Sequence, residues 1–398
     1  MPRLRVFRAV AFVVPGALLV GCSTAGSVPP AVSVAARPGS GLAASATSAA
    51  VGELLGRRAA ALLATDSAGY AATLGAGATA GVRALPQRLA GVRLAGWSYA
   101  VRSVEPGAGA TEHAQVTLTY RLAGVPTAST ADRDVTLSGG LVVDDQPVGA
   151  SLPWDLSVVT ETAGRSSLVL SVQPVRLPAA PVAAQGDRAV AAVDSVWGSD
   201  WSRRALLVLV AGPGPLAALL GRTPDGVTGL VALATTDRVT VDATALGALT
   251  EPAQQVLLTH EVTHLATRAA GSTSVPTWLE EGFADYVGLR GSPLPQAQLL
   301  APLAARVRIA GRSTRLPDEA DFQPGSATIG AAYTEAWTAV RLLAQTHGER
   351  AVVRLYRATA AGTGSADANL AAAFRAVLGT TVEAFTVAWR AEIARLGP

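Results

Sequence analysis

Along the chain the spacing of apolar residues changes character, and each change marks an element. In "VGELLGRRAAALLATDSAGYAATL" residues Leu54, Leu55, Ala59, Leu62 and Leu63 recur on one side of a 3.6-residue period, which predicts an amphipathic helix. "RLAGWSYAVRSVEPG", "HAQVTLTYRLAG", "RDVTLSGGLVVDD" and "WDLSVVTET" then alternate apolar and polar between Gly, Pro and Asp clusters, the pattern of strands joined by short turns. A helix followed by consecutive strands predicts an α+β unit, an antiparallel sheet curled over a helix, spanning 49–172. The Pro- and Ala-rich "QPVRLPAAPVAAQGD" breaks the alternation and sets a boundary. A helix ("RAVAAVDSVWG"), a buried strand ("RALLVLVAG") and two extended segments in "GLVALATTDRVTVD" follow, and from Glu251 onward the period is almost wholly helical. The second unit, 187–398, is therefore a small sheet followed by helices, and no repeat of fixed length appears.

Ahead of these units, residues 1–21 carry arginines at Arg3, Arg5 and Arg8, then an apolar run from Val10 to Val20 too short to span a bilayer comfortably, then small residues. That is the layout of a signal peptide. Its end, "LVGC", resembles the lipobox of bacterial lipoproteins, which implies that Cys22 becomes the lipid-modified first residue of an extracytoplasmic, membrane-anchored chain. An ordinary secretory leader with an incidental thiol is the plainer alternative. Residues 22–48, small and Pro-interrupted, cannot bury enough surface to fold and read as a tether. The chain has 1 cysteine, so no intramolecular disulfide is available to hold it.

One of the helical segments carries chemistry. "TEPAQQVLLTHEVTHLATRAAG" offers Thr250 as a cap and Gly271 as a stop, with His260 and His264 one turn apart on the same face. Two imidazoles so placed can reach one ion, while Glu261, rotated by about 100° from His260, is set beside it to act on a water. With 4 histidines among 398 residues, an accidental H-E-x-x-H arises in roughly one such chain in a thousand. The plainer reading is a pair of helical histidines satisfied within the core. Two imidazoles with a carboxylate and an open position suit Zn2+ better than iron or manganese.

A third ligand is needed, and "VPTWLEEGFADYVG" reads as the next helix, antiparallel to the first. Together the two segments resemble the gluzincin metallopeptidases, closest to their compact peptidase-MA-like branch, in which H-E-x-x-H is followed by W-L-x-E-G-[FL]-A. The resemblance implies that Glu281 is the third zinc ligand, that the connection from His264 is tight, and that Glu261 is the general base of peptide-bond hydrolysis. Glu280 competes with Glu281, but one helix cannot aim both carboxylates at the ion. Asp285, one turn after Glu281, is placed to hold a ligand histidine from behind, or is a solvated helix acid. Aminopeptidases of this kind also place a tyrosine after the third ligand. Tyr333, in "IGAAYTEAWTAVRLLAQTHGER", is the matching candidate for donating to the oxyanion; His347 is the alternative, though it reads more simply as a helix-end residue. "GLVALATTDRVTVD" would supply either an edge strand for an extended substrate or an ordinary sheet strand. His113, beside a strand, reads as a surface or sheet histidine.

The first unit is similar in layout to the cone-shaped folds of the nuclear-transport-factor-two-like superfamily, a fold that fixes no function. The formal net charge is +3, all of it supplied by the three leader arginines, and no Arg-rich patch with interleaved aromatics appears. A nucleic-acid partner is therefore not expected. No exopeptidase motif appears either, so the expectation is a membrane-anchored zinc endopeptidase acting on peptides or proteins. A lipoprotein binding module whose peptidase-like half no longer turns over is the alternative. Replacing Cys22 by Ser should move the protein from the membrane to the soluble fraction; retention in the membrane would count against the lipid anchor.

Overall fold

The computed structural model describes residues 41–269, 274–323 and 326–397. The leader, Cys22, most of the tether and the Gly271 stop lie outside them. Fourteen helices are present among the described residues: α1 (Gly41–Leu63), α2 (Ser67–Ala71), α3 (Ala80–Leu89), α4 (Pro153–Leu156), α5 (Ala179–Trp197), α6 (Pro213–Leu219), α7 (Ala243–Gly247), α8 (Glu251–Thr267), α9 (Thr277–Leu289), α10 (Gln296–Ala310), α11 (Ile329–His347), α12 (Glu349–Ala360), α13 (Ala366–Ala373) and α14 (Val382–Leu396). Helix α1 starts at Gly41, so the stretch 41–48, read as tether, is helical. None of these helices alone is long and apolar enough to cross a membrane.

The first sheet is an antiparallel meander of β1 (Leu94–Pro106), β2 (Thr111–Leu122), β3 (Ser129–Ser138) and β4 (Leu141–Pro147). Along β2 the alternation seen in the sequence is real: Ala114, Val116, Leu118, Tyr120 and Leu122 are buried and the residues between them are not. Val51, Leu54 and Leu55 of α1 pack onto that face. Between β3 and β4 the chain reverses through Gly139 and Gly140, both at positive φ (58° and 73°), the backbone a two-residue hairpin turn demands.

The second sheet has the order β5-β6-β7-β9-β8, built from β5 (Val159–Ala163), β6 (Ser167–Val172), β7 (Ala205–Val210), β8 (Ala232–Ala234) and β9 (Val239–Asp242). Its inner pairs, β6 with β7 and β7 with β9, are parallel, and its outer pairs are antiparallel. Of "WDLSVVTET", read as the last strand of the first sheet, the first three residues lie in α4 and only residues 159–162 are strand, in β5 of this second sheet; alternation alone does not say which neighbour a strand takes. Strand β6, "SLVLSV", was not anticipated at all, because it is buried on both faces and shows no alternation. Helix α5 begins at Ala179, inside the segment taken as a boundary. Pro181 is tolerated there because the N–H groups of a first turn have no partner within the helix.

One apolar core joins both sheets. Trp154 meets Tyr120 edge-on at 5.0 Å and Trp97 at 5.5 Å, and the same cluster continues into Val159, Leu168 and Leu207. Arg93, just before β1, donates to Glu161 of β5 at 2.8 and 2.6 Å.

Helix α9 runs between α8 and α11 at very short range. A Cβ on Gly282 would stand 2.7 Å from the carbonyl carbon of Ala336 in α11, and one on Gly288 would stand 2.9 Å from the Val256 oxygen in α8. Gly282→Ala should therefore lose about 1–3 kcal/mol on unfolding. Gly56→Ala, in α1 with nothing within 4 Å of the new carbon, should gain about 0.5–1 kcal/mol. Paired denaturant melts check both, and equal effects would refute the crowding argument.

Candidate metal centre

Helix α8 starts after Thr250, whose side chain makes no capping bond, carries Pro252 in its first turn, and ends at Thr267 with Arg268 in the left-handed region (φ 56°). Three of its polar side chains are buried: His260, Glu261 and His264 are 0, 1 and 3% exposed. Such burial of titratable groups is tolerated only if each is paired or bound.

His260 Nε2 and His264 Nε2 lie 3.0 Å apart, and Glu281 Oε2 lies 3.2 Å from the first and 3.5 Å from the second. Ligands held at 2.0–2.1 Å on a tetrahedral zinc stand about 3.3–3.4 Å from one another. The triangle thus has the size of one face of a zinc coordination shell. Two imidazole nitrogens facing each other at 3.0 Å repel unless a proton or a cation lies between them. Among the described residues, His260, His264 and Glu281 form the group that fits a metal ion, and the donor set of two nitrogens and one carboxylate oxygen suits zinc.

Behind the triangle, Asp285 Oδ1 lies 2.8 Å from His260 Nδ1. Glu281 and Asp285 are one turn apart on α9, so a single helix face delivers both the carboxylate of the triangle and the group that orients an imidazole. Glu280 is rotated away, beside Tyr356: burial first, then the Glu280 carboxylate, pushes that phenol well above its usual range. Glu281, not Glu280, is the glutamate whose carboxylate lies within 3.5 Å of both ring nitrogens.

Glu261 stands outside the triangle. Its Oε2 accepts from the N–H of Ala234 at 2.7 Å, and its Oε1, though buried, has no hydrogen-bond partner. An orphaned carboxylate oxygen within electrostatic reach of both imidazoles is a vacant proton acceptor. Burial raises the Glu261 carboxyl above its ordinary value, against the pull of His260 and His264. For Glu281 burial works in the same direction, but the two imidazoles outweigh it and hold that carboxyl at about 2. Burial likewise opposes the charged form of His260, yet Asp285 and Glu281 prevail and raise its imidazolium well above the usual range.

Tyr333 of α11 is 5% exposed, its ring centred 6.4 Å from that of His260, with Phe322 edge-on at 5.2 Å on the other side. His347 ends the same helix, about 21 Å further along its axis, and takes no part. His113 sits on β2 with Asp134 of β3 at 3.1 Å, an ordinary pair on a sheet surface.

Ala234 was invisible to sequence reading, because its contribution is a backbone N–H. Only the extended character of "GLVALATTDRVTVD" hinted at it. The two segments form the hairpin β8–β9 at the end of the sheet, but Ala232, Leu233 and Ala234 are 0, 4 and 5% exposed. β8 is nonetheless the last strand of the sheet, paired with β9 on one side only. The strand's visible task is to hold Glu261.

No protein-family model and no curated protein matches the chain. Among solved structures, a mutant of an M1 zinc metallopeptidase from Deinococcus radiodurans is similar at 17% identity and a TM-score of 0.35, with 74% of this chain and 61% of that one covered. The same enzyme in mutant form with a Tyr-Ser-Ala substrate matches at 16% identity and a TM-score of 0.37, covering 74% and 60%. The chain thus spans about three fifths of the length of these neighbours. Scores this low leave the functional reading to the geometry of the centre.

Three measurements test that geometry. His264→Ala should abolish tight zinc uptake, read by titration and elemental analysis. Asp285→Asn should weaken it by about 10–100-fold, and Glu280→Gln should leave stoichiometry unchanged. Loss of zinc in the Glu280 variant with retention in Glu281→Gln would reverse the ligand assignment.

Proposed function

We propose that this chain is a zinc peptidase that hydrolyses peptide bonds directly with water, without an acyl-enzyme. The observation that carries the reading is the division of labour among four buried groups. Three donors converge to the dimensions of a zinc site, while a fourth, Glu261, stands beside them with one oxygen fixed by Ala234 and the other unspent.

His260, His264 and Glu281 would hold the metal. Bound there, zinc would polarise the scissile carbonyl and make an attacking water more acidic. Asp285 fixes the His260 tautomer by accepting from Nδ1–H, leaving Nε2 as the donor atom. Glu261 Oε1 takes the proton of the attacking water and returns it to the leaving amine; its raised affinity for a proton, a consequence of burial, suits that exchange. Tyr333, beside His260, is assigned as the donor to the developing oxyanion.

Cleavage within a chain, rather than from its amino end, is part of this proposal. The acid of the β8–β9 turn, Asp237, is already engaged by Arg238, Thr235 and Ser129, and so is not free to grip a substrate ammonium. The leader and Cys22 extend the proposal to an enzyme tethered outside the bacterial cytoplasmic membrane. The first unit, a meander with α1 laid across it, supports a cone-like accessory role.

The test is digestion of a peptide library by the zinc-loaded chain. Cleavage should disappear after prolonged chelation and return with zinc. Glu261→Gln should cut at least about a hundredfold more slowly with zinc content unchanged, and Tyr333→Phe should lose roughly a hundredfold in kcat. Undiminished cleavage by Glu261→Gln would overturn its role, and a zinc-loaded chain that cuts nothing would leave the binding-module reading.

A further inference from the structure

The hydrogen bond from Ala234 to Glu261 places a demand on a weak element. Strand β8 is three residues long and pairs with β9 on one side only. Elements that short open easily by themselves. Beyond the pairs within the strand, the hairpin adds Thr235 N–H to Arg238 O and Asp242 N–H to Val231 O, each at 2.8 Å.

The turn that closes this hairpin is tied to the other sheet. Asp237 Oδ1 accepts from the Thr235 hydroxyl at 3.2 Å and from Arg238 Nε at 2.9 Å; its Oδ2 accepts from Arg238 Nη2 at 2.8 Å and from the hydroxyl of Ser129. Ser129 opens β3 of the N-terminal meander and sits directly opposite Tyr120 of β2. Tyr120 in turn faces Arg238, whose charge acts on the buried phenol, and packs against Trp97 and Trp154. The two residues of the first sheet that meet the turn are thus a cross-strand pair anchored in the shared core.

We propose that the N-terminal sheet acts as a brace for the metal centre, and that Ser129 and Asp237 are positioning residues that hold β8, and through Ala234 the carboxylate of Glu261, in place. The proposal rests on the reading of Glu261 as the proton acceptor, and it gives the first unit a task within the reaction. Removing the Asp237 carboxylate would take the charged partner from the largely enclosed Arg238 guanidinium, 16% exposed, and endanger folding, so Ser129 is the residue to change.

The full-length, zinc-loaded chain is compared as wild type, Ser129→Ala and Ser129→Thr by amide hydrogen exchange, melting and peptide cleavage. Ser129→Ala should raise exchange of the amides in 232–238 about tenfold, the scale of one hydrogen bond to a charged group. Exchange elsewhere and zinc content should stay unchanged, and kcat should fall severalfold. Ser129→Thr, which keeps the hydroxyl, should restore both local protection and rate. Unchanged exchange in Ser129→Ala overturns the brace, and so does local loosening at an undiminished kcat. If wild type itself cuts nothing, the peptidase reading fails separately, and the exchange measurement still decides whether the brace exists.

Discussion

The approach of Glu281 and Asp285 to the two histidines is set by how closely α9 passes between α8 and α11. Glycine is required on both flanks of α9 because the neighbouring backbones leave no space for a side-chain carbon at Gly282 or Gly288. Helices this close are positioned by contact between backbones rather than by flexible side chains, so their register has little freedom. That register puts Glu281 and Asp285 opposite His260 and His264. A slip of one residue would rotate the α9 face by about 100° and bring Glu280, not Glu281, toward the ring nitrogens.

The packing also commits the protein to a concentrated buried charge. Glu261, Glu281 and Asp285 stand together with two imidazoles where water hardly reaches. Carboxylates in such surroundings need a compensating cation. A proton on His260, which Asp285 and Glu281 favour against the opposing effect of burial, or a divalent ion in the same position can supply it. Metal binding and proton release are therefore two sides of one equilibrium, and an ion bound here stabilises the fold as well as the site.

How much of this was legible in the sequence follows from where each piece of information is stored. The histidine pair and Glu261 lie within one helical turn, so their spacing alone placed them. Glu281 needed the wording of the next helix, and its preference over Glu280 became a matter of geometry only once α9 was seen against α8. Asp285 was readable as a position one turn on, but not as a bond to Nδ1 of His260. The partner of β5 was not readable, because a strand's alternation says how it faces a core and nothing about its neighbour. β6 lacked even alternation. The N–H of Ala234 carries no side-chain signature, and the contact between Ser129 and Asp237 joins residues 108 positions apart.

The near-complete enclosure of the centre has a kinetic meaning. With Phe322 edge-on to Tyr333 and the side chains of His260, His264 and Glu281 at most 4% exposed, the three donor groups present almost no surface to water among the described residues. Exchange with solution of an ion held between them would wait on a transient parting of the surrounding helices. The frequency of the parting, rather than the strength of coordination, then governs how fast a chelator strips the protein.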